Sequence, residues 1–143
     1  MSFVFKYKSH PQDKRKKLPL IPVKIHAKND VETLGLIDSG ADYSVIPLSM
    51  AEALGIPFKK SEVEEIAGIG GLHNAYPCNV SVSITGKGEH STVRLELPAF
   101  AIQAAKQEPF LLIGRSGFFD KFEITFKENE EKIILKKTKN KDY

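Results

Sequence analysis

Leu34-Gly35-Leu36-Ile37-Asp38-Ser39-Gly40-Ala41-Asp42 decides how this chain is read. An apolar strand delivers an Asp into a tight Ser-Gly turn, and a second Asp follows four residues later. Such a turn presents a carboxylate at the floor of a cleft. Asp and Gly are common turn residues, and an Asx-turn alone accounts for the tripeptide. The context adds weight. Apolar residues precede Asp38 and Ala41 follows the glycine, so the loop does not read as a solvated surface turn, and a carboxylate placed there needs a partner. The chain contains one Asp-Ser-Gly. If that motif is catalytic, a second copy of the chain must complete the site.

Outward from this loop the chain reads as short strands. Val23, Ile25 and Ala27 alternate with Lys24, His26 and Lys28, the period of a half-buried strand, and Asn29-Asp30 is a turn pair. A second strand runs from about Val31 to Ile37, and Tyr43 to Ile46 makes another. Pro47 to Leu54 has the pattern of a short helix stopped by Gly55. Two long arms follow, Ser61 to Ala67 and Asn74 to Thr85, on either side of Gly68-Ile69-Gly70-Gly71. Gly86-Lys87-Gly88 closes the next hairpin. Ser91 to Ile102 returns as a strand, in which Pro98 points to an edge or an irregularity. Phe110 to Ile113 reads as a buried strand and Arg115 to Lys121 as one or two helical turns. Ile124 to Lys127 and Ile133 to Lys136 make a final hairpin. Short strands with frequent turns and one or two short helices place the chain in the mostly β class, as a barrel or a sandwich. The core pattern begins at Leu18. Residues 1–17 therefore read as a basic N-terminal extension and 18–143 as one domain.

Composition sets the outer limits. A chain of 143 residues with 41% hydrophobic and 27% charged content suits one globular domain with a real core. The net charge of +3 is mild. Basic residues gather in Lys14-Arg15-Lys16-Lys17 and between Lys136 and Lys141, and these runs read as solvated ends rather than as a nucleic-acid surface. The single cysteine, Cys78, excludes an intrachain disulfide and suits a reducing, cytoplasmic compartment. The start lacks the apolar core of a signal peptide, and no apolar run approaches the roughly 20 residues of a membrane span. One Cys and four scattered His residues have no metal-site spacing.

With these residues in view, Ile37-Asp38-Ser39-Gly40-Ala41-Asp42 resembles the active-site loop of the retropepsin-like aspartic proteases, the retroviral protease family and its cellular relatives. Ile66-Ala67-Gly68-Ile69-Gly70-Gly71-Leu72 is similar to the flap that covers the substrate in that family. Leu111-Leu112-Ile113-Gly114-Arg115 resembles its apolar-apolar-Gly-Arg segment, after which a short helix is expected, here at Ser116 to Lys121. The motifs fall in the family's order over residues 18 to 136. The resemblance implies a closed acid-protease barrel acting as a homodimer, with Asp38 of each copy sharing the catalytic water on the two-fold axis. It implies a peptide or protein substrate and neither metal nor organic cofactor. It further implies that Ser39 braces the two loops and that Gly40 offers its carbonyl to substrate. Ala41 belongs to the loop, and Asp42 pairs with Arg115 at its base. Ala67, Gly68, Ile69 and Gly70 would form the flap, and Leu112 and Phe110 would line subsites, Phe110 being equally readable as core. Ala67 departs from the glycine often found in viral members. The segment after the expected helix is longer than in the retroviral type, so Ile133-Ile134-Leu135 is a candidate for a dimer sheet.

Other chemistries fit less well. Asp-Ser-Gly also occurs around the serine of trypsin-like proteases, but here Ile37 and Ala41 flank it where glycines would stand, and the chain is too short for that double barrel. His73 and Cys78 lie at odd separation on one predicted strand, which sends their side chains to opposite faces. Gly68-Ile69-Gly70-Gly71 lacks the spacing and the following Lys of a phosphate loop. The serious competitor is a catalytically weak or inactive module that keeps the fold for dimerisation or peptide binding. Against it, a binding module gains nothing evident from two like charges placed together.

Overall fold

Alternation of apolar and polar residues folds this chain into a closed barrel. The computed structural model describes residues 2–68, 71–86, 91–104 and 107–139. The core strands are β4 (Leu20–His26), β5 (Val31–Ile37), β6 (Ser44–Pro47), β8 (Gly71–Thr85), β9 (Thr92–Ile102) and β10 (Leu111–Ile113). They pair in the order β4-β5-β10-β6-β9-β8, and β8 returns to β4 to close the ring. Strand β9 shows the pattern most plainly. Val93, Leu95, Leu97, Ala99 and Ala101 are buried, while Arg94, Glu96 and Pro98 are exposed between them. Pro98 sits just before the ladder to β6 begins at Ala99, where β9 is paired on one side only, so its missing N–H leaves no gap in that ladder. Hairpin arm β7 (Glu64–Gly68) pairs with the first residues of β8 and extends beyond the barrel. The Ser61–Ala67 arm expected from sequence starts later, because Lys60–Glu62 make a 3-10 turn first.

The helix expected at Pro47–Leu54 is α1 (Leu48–Leu54), and it ends at Gly55. The helix expected at Ser116–Lys121 does not form. The segment is a run of turns, in which the N–H groups of Phe118 and Phe119 both donate to the Arg115 carbonyl. Gly117 is the reason. Its φ of +79° leaves the right-handed helical region, and a Cβ there would stand 2.6 Å from the Glu96 carbonyl oxygen. The turn still serves the core, because it buries Phe118 against Phe122.

The first residues join the last. Strand β1 (Ser2–Lys6) pairs with β12 (Lys132–Lys137), which pairs on its other side with β11 (Phe122–Lys127). Phe3, Ile133 and Leu135 are fully buried in the same core as the barrel residues. The Tyr7 N–H donates to the Glu131 carbonyl at 2.7 Å, and its hydroxyl donates to Glu128 at 3.1 Å. The apolar core therefore begins at Phe3 rather than at Leu18, because β1 joins the edge of the terminal hairpin and carries Phe3 into the core that Ile133 and Leu135 share. β12 has both ladder edges filled within the chain, and Ile133 and Leu135 point into their own core. The expected dimer sheet of Ile133-Ile134-Leu135 has no edge left to offer. Strand pairing with a second copy at this sheet would have to use the outer edge of β1 or β11. Between β1 and the barrel, β2 (Lys8–His10) and β3 (Asp13–Leu18) form a separate hairpin.

Replacing Gly117 with Ala should lower unfolding free energy by about 2–3 kcal/mol, since it combines backbone strain with a collision against the β9 backbone. Urea unfolding followed by circular dichroism would show it as a fall in midpoint at unchanged slope.

Candidate active site

Asp38 stands where two parallel strands end together. β10 runs beside β5 with Leu112 opposite Leu36 and Ile113 opposite Ile37. Ile37 and Ile113 are buried, which anchors both strand ends in the barrel. The Asp38 N–H continues this ladder by one step, donating to the Ile113 carbonyl at 3.0 Å. The chain then turns. The Gly40 N–H donates to Asp38 Oδ1 at 2.9 Å, and the Ala41 N–H reaches back to the Asp38 carbonyl at 3.3 Å. The carboxylate is thus oriented by its own turn, as an Asx-turn requires. Asp38 and Ala41 are half-buried, while Ser39 and Gly40 are exposed.

A second segment locks onto this loop. The Arg115 N–H donates to the Ala41 carbonyl and the Ser116 N–H to the Asp42 carbonyl, both at 2.8 Å. The Gly114 N–H donates to the buried Ser44 hydroxyl at 3.1 Å. Gly114 is required by this crossing, since a Cβ there would collide with the Tyr43 carbonyl and stand 2.9 Å from the Ala41 oxygen. The Arg115 guanidinium also pairs with the Asp42 carboxylate. Those two side chains are 55% and 69% exposed, so the pair is worth about 0–1 kcal/mol and the backbone bonds do most of the fastening.

Beside the loop is an apolar pocket of about 140 Å³. Leu112 points away from the barrel core that holds Leu111 and Ile113, and it meets Val45 directly across the β10–β6 pair. These two, with Pro47, Ile102 and Phe110, form the apolar lining, and Glu108 lies on the wall. Phe110 is both core and lining, being only 3% exposed. In the hairpin of β7 and β8, exposed Ala67 pairs with Leu72, and Gly68 pairs with Gly71. Ile69 and Gly70 lie outside the described residues. At the hairpin's base the Tyr76 ring packs on Phe58, with centroids 5.3 Å apart.

The aspartyl protease family matches residues 21–116, a span that includes Asp38 and the Gly114-Arg115 pair. The chain belongs to the aspartyl protease family. Its fold is similar to that of a retropepsin-like aspartic protease from Rickettsia conorii, with a TM-score of 0.58 at 16% identity over 94% of this chain and 91% of that one. Among other solved structures, the EIAV protease complexed with the inhibitor HBY-793 is 25% identical over 70% of this chain and 84% of its own, at a TM-score of 0.45. The retroviral protease-like domain of Ddi1 from Leishmania major is 15% identical over 89% of this chain and 100% of its own, at a TM-score of 0.47. No curated protein sequence matches the chain.

In this member of the aspartyl protease family the structure brings Asp38, Ser39, Gly40, Ala41, Asp42 and Arg115 together in one loop assembly, and sets Phe110 and Leu112 on the neighbouring pocket. Sequence reading missed Ser44, whose hydroxyl receives the Gly114 N–H; its position within a strand pattern made it look like filler. It also missed the chain Asp30–His26–Ser83. His26 Nε2 lies 2.9 Å from Ser83 Oγ, and Nδ1 lies 3.2 Å from Asp30 Oδ1. That order of bonds resembles a nucleophilic triad, but Ser83 is 7% exposed on a strand paired along both edges. Its backbone N–H groups are committed to the ladders, so no oxyanion site is built around it. The trio fastens the short β4–β8 seam. Among the described residues, no helix is long and apolar enough to cross a membrane.

Cys78 is half-buried on β8, and burial pushes its thiol up from 9.0 to about 11. A raised folded value means that the neutral thiol stabilises the fold below the unfolded value, and that this contribution is lost as pH rises from about 9 toward 11. Iodoacetamide should alkylate Cys78 in the native protein at pH 8 at least about tenfold more slowly than in urea, because so little thiolate is present. Mass spectrometry of the time course would measure this.

Proposed function

We propose that this aspartyl protease is an endopeptidase acting as a homodimer, in which two copies of Asp38 and one water hydrolyse a peptide bond. The observation that carries this reading is the single Asp38 loop, with its carboxylate oriented by Gly40 and its backbone locked to the Gly114-Arg115 segment. One chain supplies half a site, and a two-fold copy would complete it. Two carboxylates in contact share one proton and titrate as a pair. The ionised member removes a proton from the water as the water attacks the scissile carbonyl. The protonated member donates a hydrogen bond to the carbonyl oxygen, and proton return to the nitrogen releases the amine.

The remaining roles follow. Among the described residues the Ser39 hydroxyl makes no hydrogen bond within its chain, which leaves it available to brace the partner loop. Gly40 presents its carbonyl to the substrate, and Ala41, Asp42 and Arg115 hold the base of the site. Ala67, Gly68, Ile69 and Gly70 form the flap, which closes over an extended peptide bound by strand-like hydrogen bonds. Phe110 and Leu112 give the cleft an apolar preference. Residues 18–143 are the protease domain, and residues 1–17 are a basic N-terminal extension whose first strand is built into the same core. No metal or organic cofactor takes part, and a reducing cytoplasm suits the free thiol of Cys78.

Wild type should cut members of an unbiased peptide library between about pH 4 and 7, the range in which a shared-proton pair can act. Asp38→Ala and Asp38→Asn should lower kcat/KM by at least about a thousandfold while the circular dichroism spectrum is retained. A folded, dimeric wild type that binds peptides without cutting them would replace this reading with the binding-module one.

A further inference from the structure

His10 belongs to the β2–β3 hairpin, outside the family-matched span, yet it is buried and held from three directions. Nδ1 accepts the Gln12 N–H at 3.0 Å. An imidazole accepting at Nδ1 carries its proton on Nε2 when neutral. Nε2 lies 2.5 Å from Glu108 Oε2, so it donates to that carboxylate across 98 positions of sequence. The ring also meets Phe110 edge-on, with centroids 5.6 Å apart and planes at 76°. Glu108 and Phe110 are two of the residues that wall the pocket beside Leu112 and Val45.

Part of that wall lies outside regular structure. Residues 107–110 lie in no strand or helix. A side-chain bond from Gln107 to the Ile102 carbonyl fixes one end, and β10 takes up the chain at Leu111. Between these points the His10 ring packs edge-on against Phe110, and its Nε2–H holds the Glu108 carboxylate toward the hairpin. A carboxylate released from His10 could turn into a pocket whose lining, Gln107 aside, is apolar. It would then oppose an apolar side chain, since burying an unpaired charge is costly.

We infer that His10 is a positioning residue for side-chain preference: the hairpin of residues 8–18 is part of the specificity wall of the protease, not an appendage to it. This rests on the reading that the Leu112 pocket receives a substrate side chain. The imidazole does not touch the reacting atoms. It holds the two groups that shape the space beside them, and it does so from a segment at the other end of the chain.

The test uses binding, so that it does not depend on turnover. The full chain carrying Asp38→Asn is titrated with fluorescent extended peptides of about eight residues. The peptides are identical except for Ala, Val, Leu or Phe at one central position, and affinity is read by anisotropy. Affinities should span at least about tenfold across the panel, the discrimination a pocket achieves on apolar side chains. Adding His10→Ala should compress that span to under about threefold, with circular dichroism unchanged. His10→Gln, whose amide N–H stands near the position of Nε2–H, should recover most of it. If His10→Ala does not fold, His10→Phe keeps a buried ring at this place but gives Glu108 no donor, and it should compress the span as well. A span unchanged by the variant that folds overturns the inference, and so does a panel of which no member binds. Cleavage by wild type, lost in Asp38→Ala, judges the catalytic reading separately.

Discussion

Everything at the candidate site depends on one close crossing of backbone. At Gly114 the carbonyls of Ala41 and Tyr43 press into the space a Cβ would take. Only because no side chain stands there can the Gly114 N–H reach Ser44, 70 positions away in sequence, and the Arg115 N–H reach Ala41. Two distant segments become one platform, and Asp38 stands on its rim. The exposed ion pair between Arg115 and Asp42 is secondary to this, since water competes for both partners. A catalytic carboxylate must be held to within a fraction of an ångström, and buried backbone bonds do that better than two long surface side chains.

The rest of the architecture keeps that platform in place while leaving its outer surface open. The barrel closes through a short seam of Lys24–His26 against Ser81–Ser83, and His26 reinforces it through Ser83 and Asp30. At the other end, β1 fills one edge of β12 and β11 the other. Terminal strands of one chain that are already satisfied within it cannot also interleave fully with a partner. The surface around Asp38, where Asp42, Tyr43 and Arg115 are all exposed, is the contact face that the proposed dimer calls for. In the proposed homodimer, assembly and active-site formation become one event.

Much of this was legible in the residues themselves. The strand ending at Ile37 and the helix ending at Gly55 were readable because period-2 alternation and turn residues are local properties. The pairing of the Asp38 loop with Gly114-Arg115 was legible only through resemblance, since nothing local in either segment names the other. The helix expected after Arg115 failed for a reason no helical pattern displays. Gly117 takes a left-handed conformation against the β9 backbone, a contact set by tertiary packing. Residues 1–17 were read as an extension because their basic composition dominates the pattern. Among their apolar and aromatic groups the fold buries Phe3, Tyr7 and His10, while Val4 stays exposed.

By itself the sequence determined the strand-rich class and the presence of a single Asp-Ser-Gly turn. These follow from side-chain periodicity and from a count of motifs, which need no coordinates. Only the tertiary structure decided that the first strand completes the last hairpin, that Ser44 receives the Gly114 N–H, and that His10 stands behind Phe110 and Glu108. Each of those is a contact between segments far apart in the chain. Such contacts are chosen by the competition among all surfaces for burial and all polar groups for partners, a choice that exists only once the chain has closed on itself.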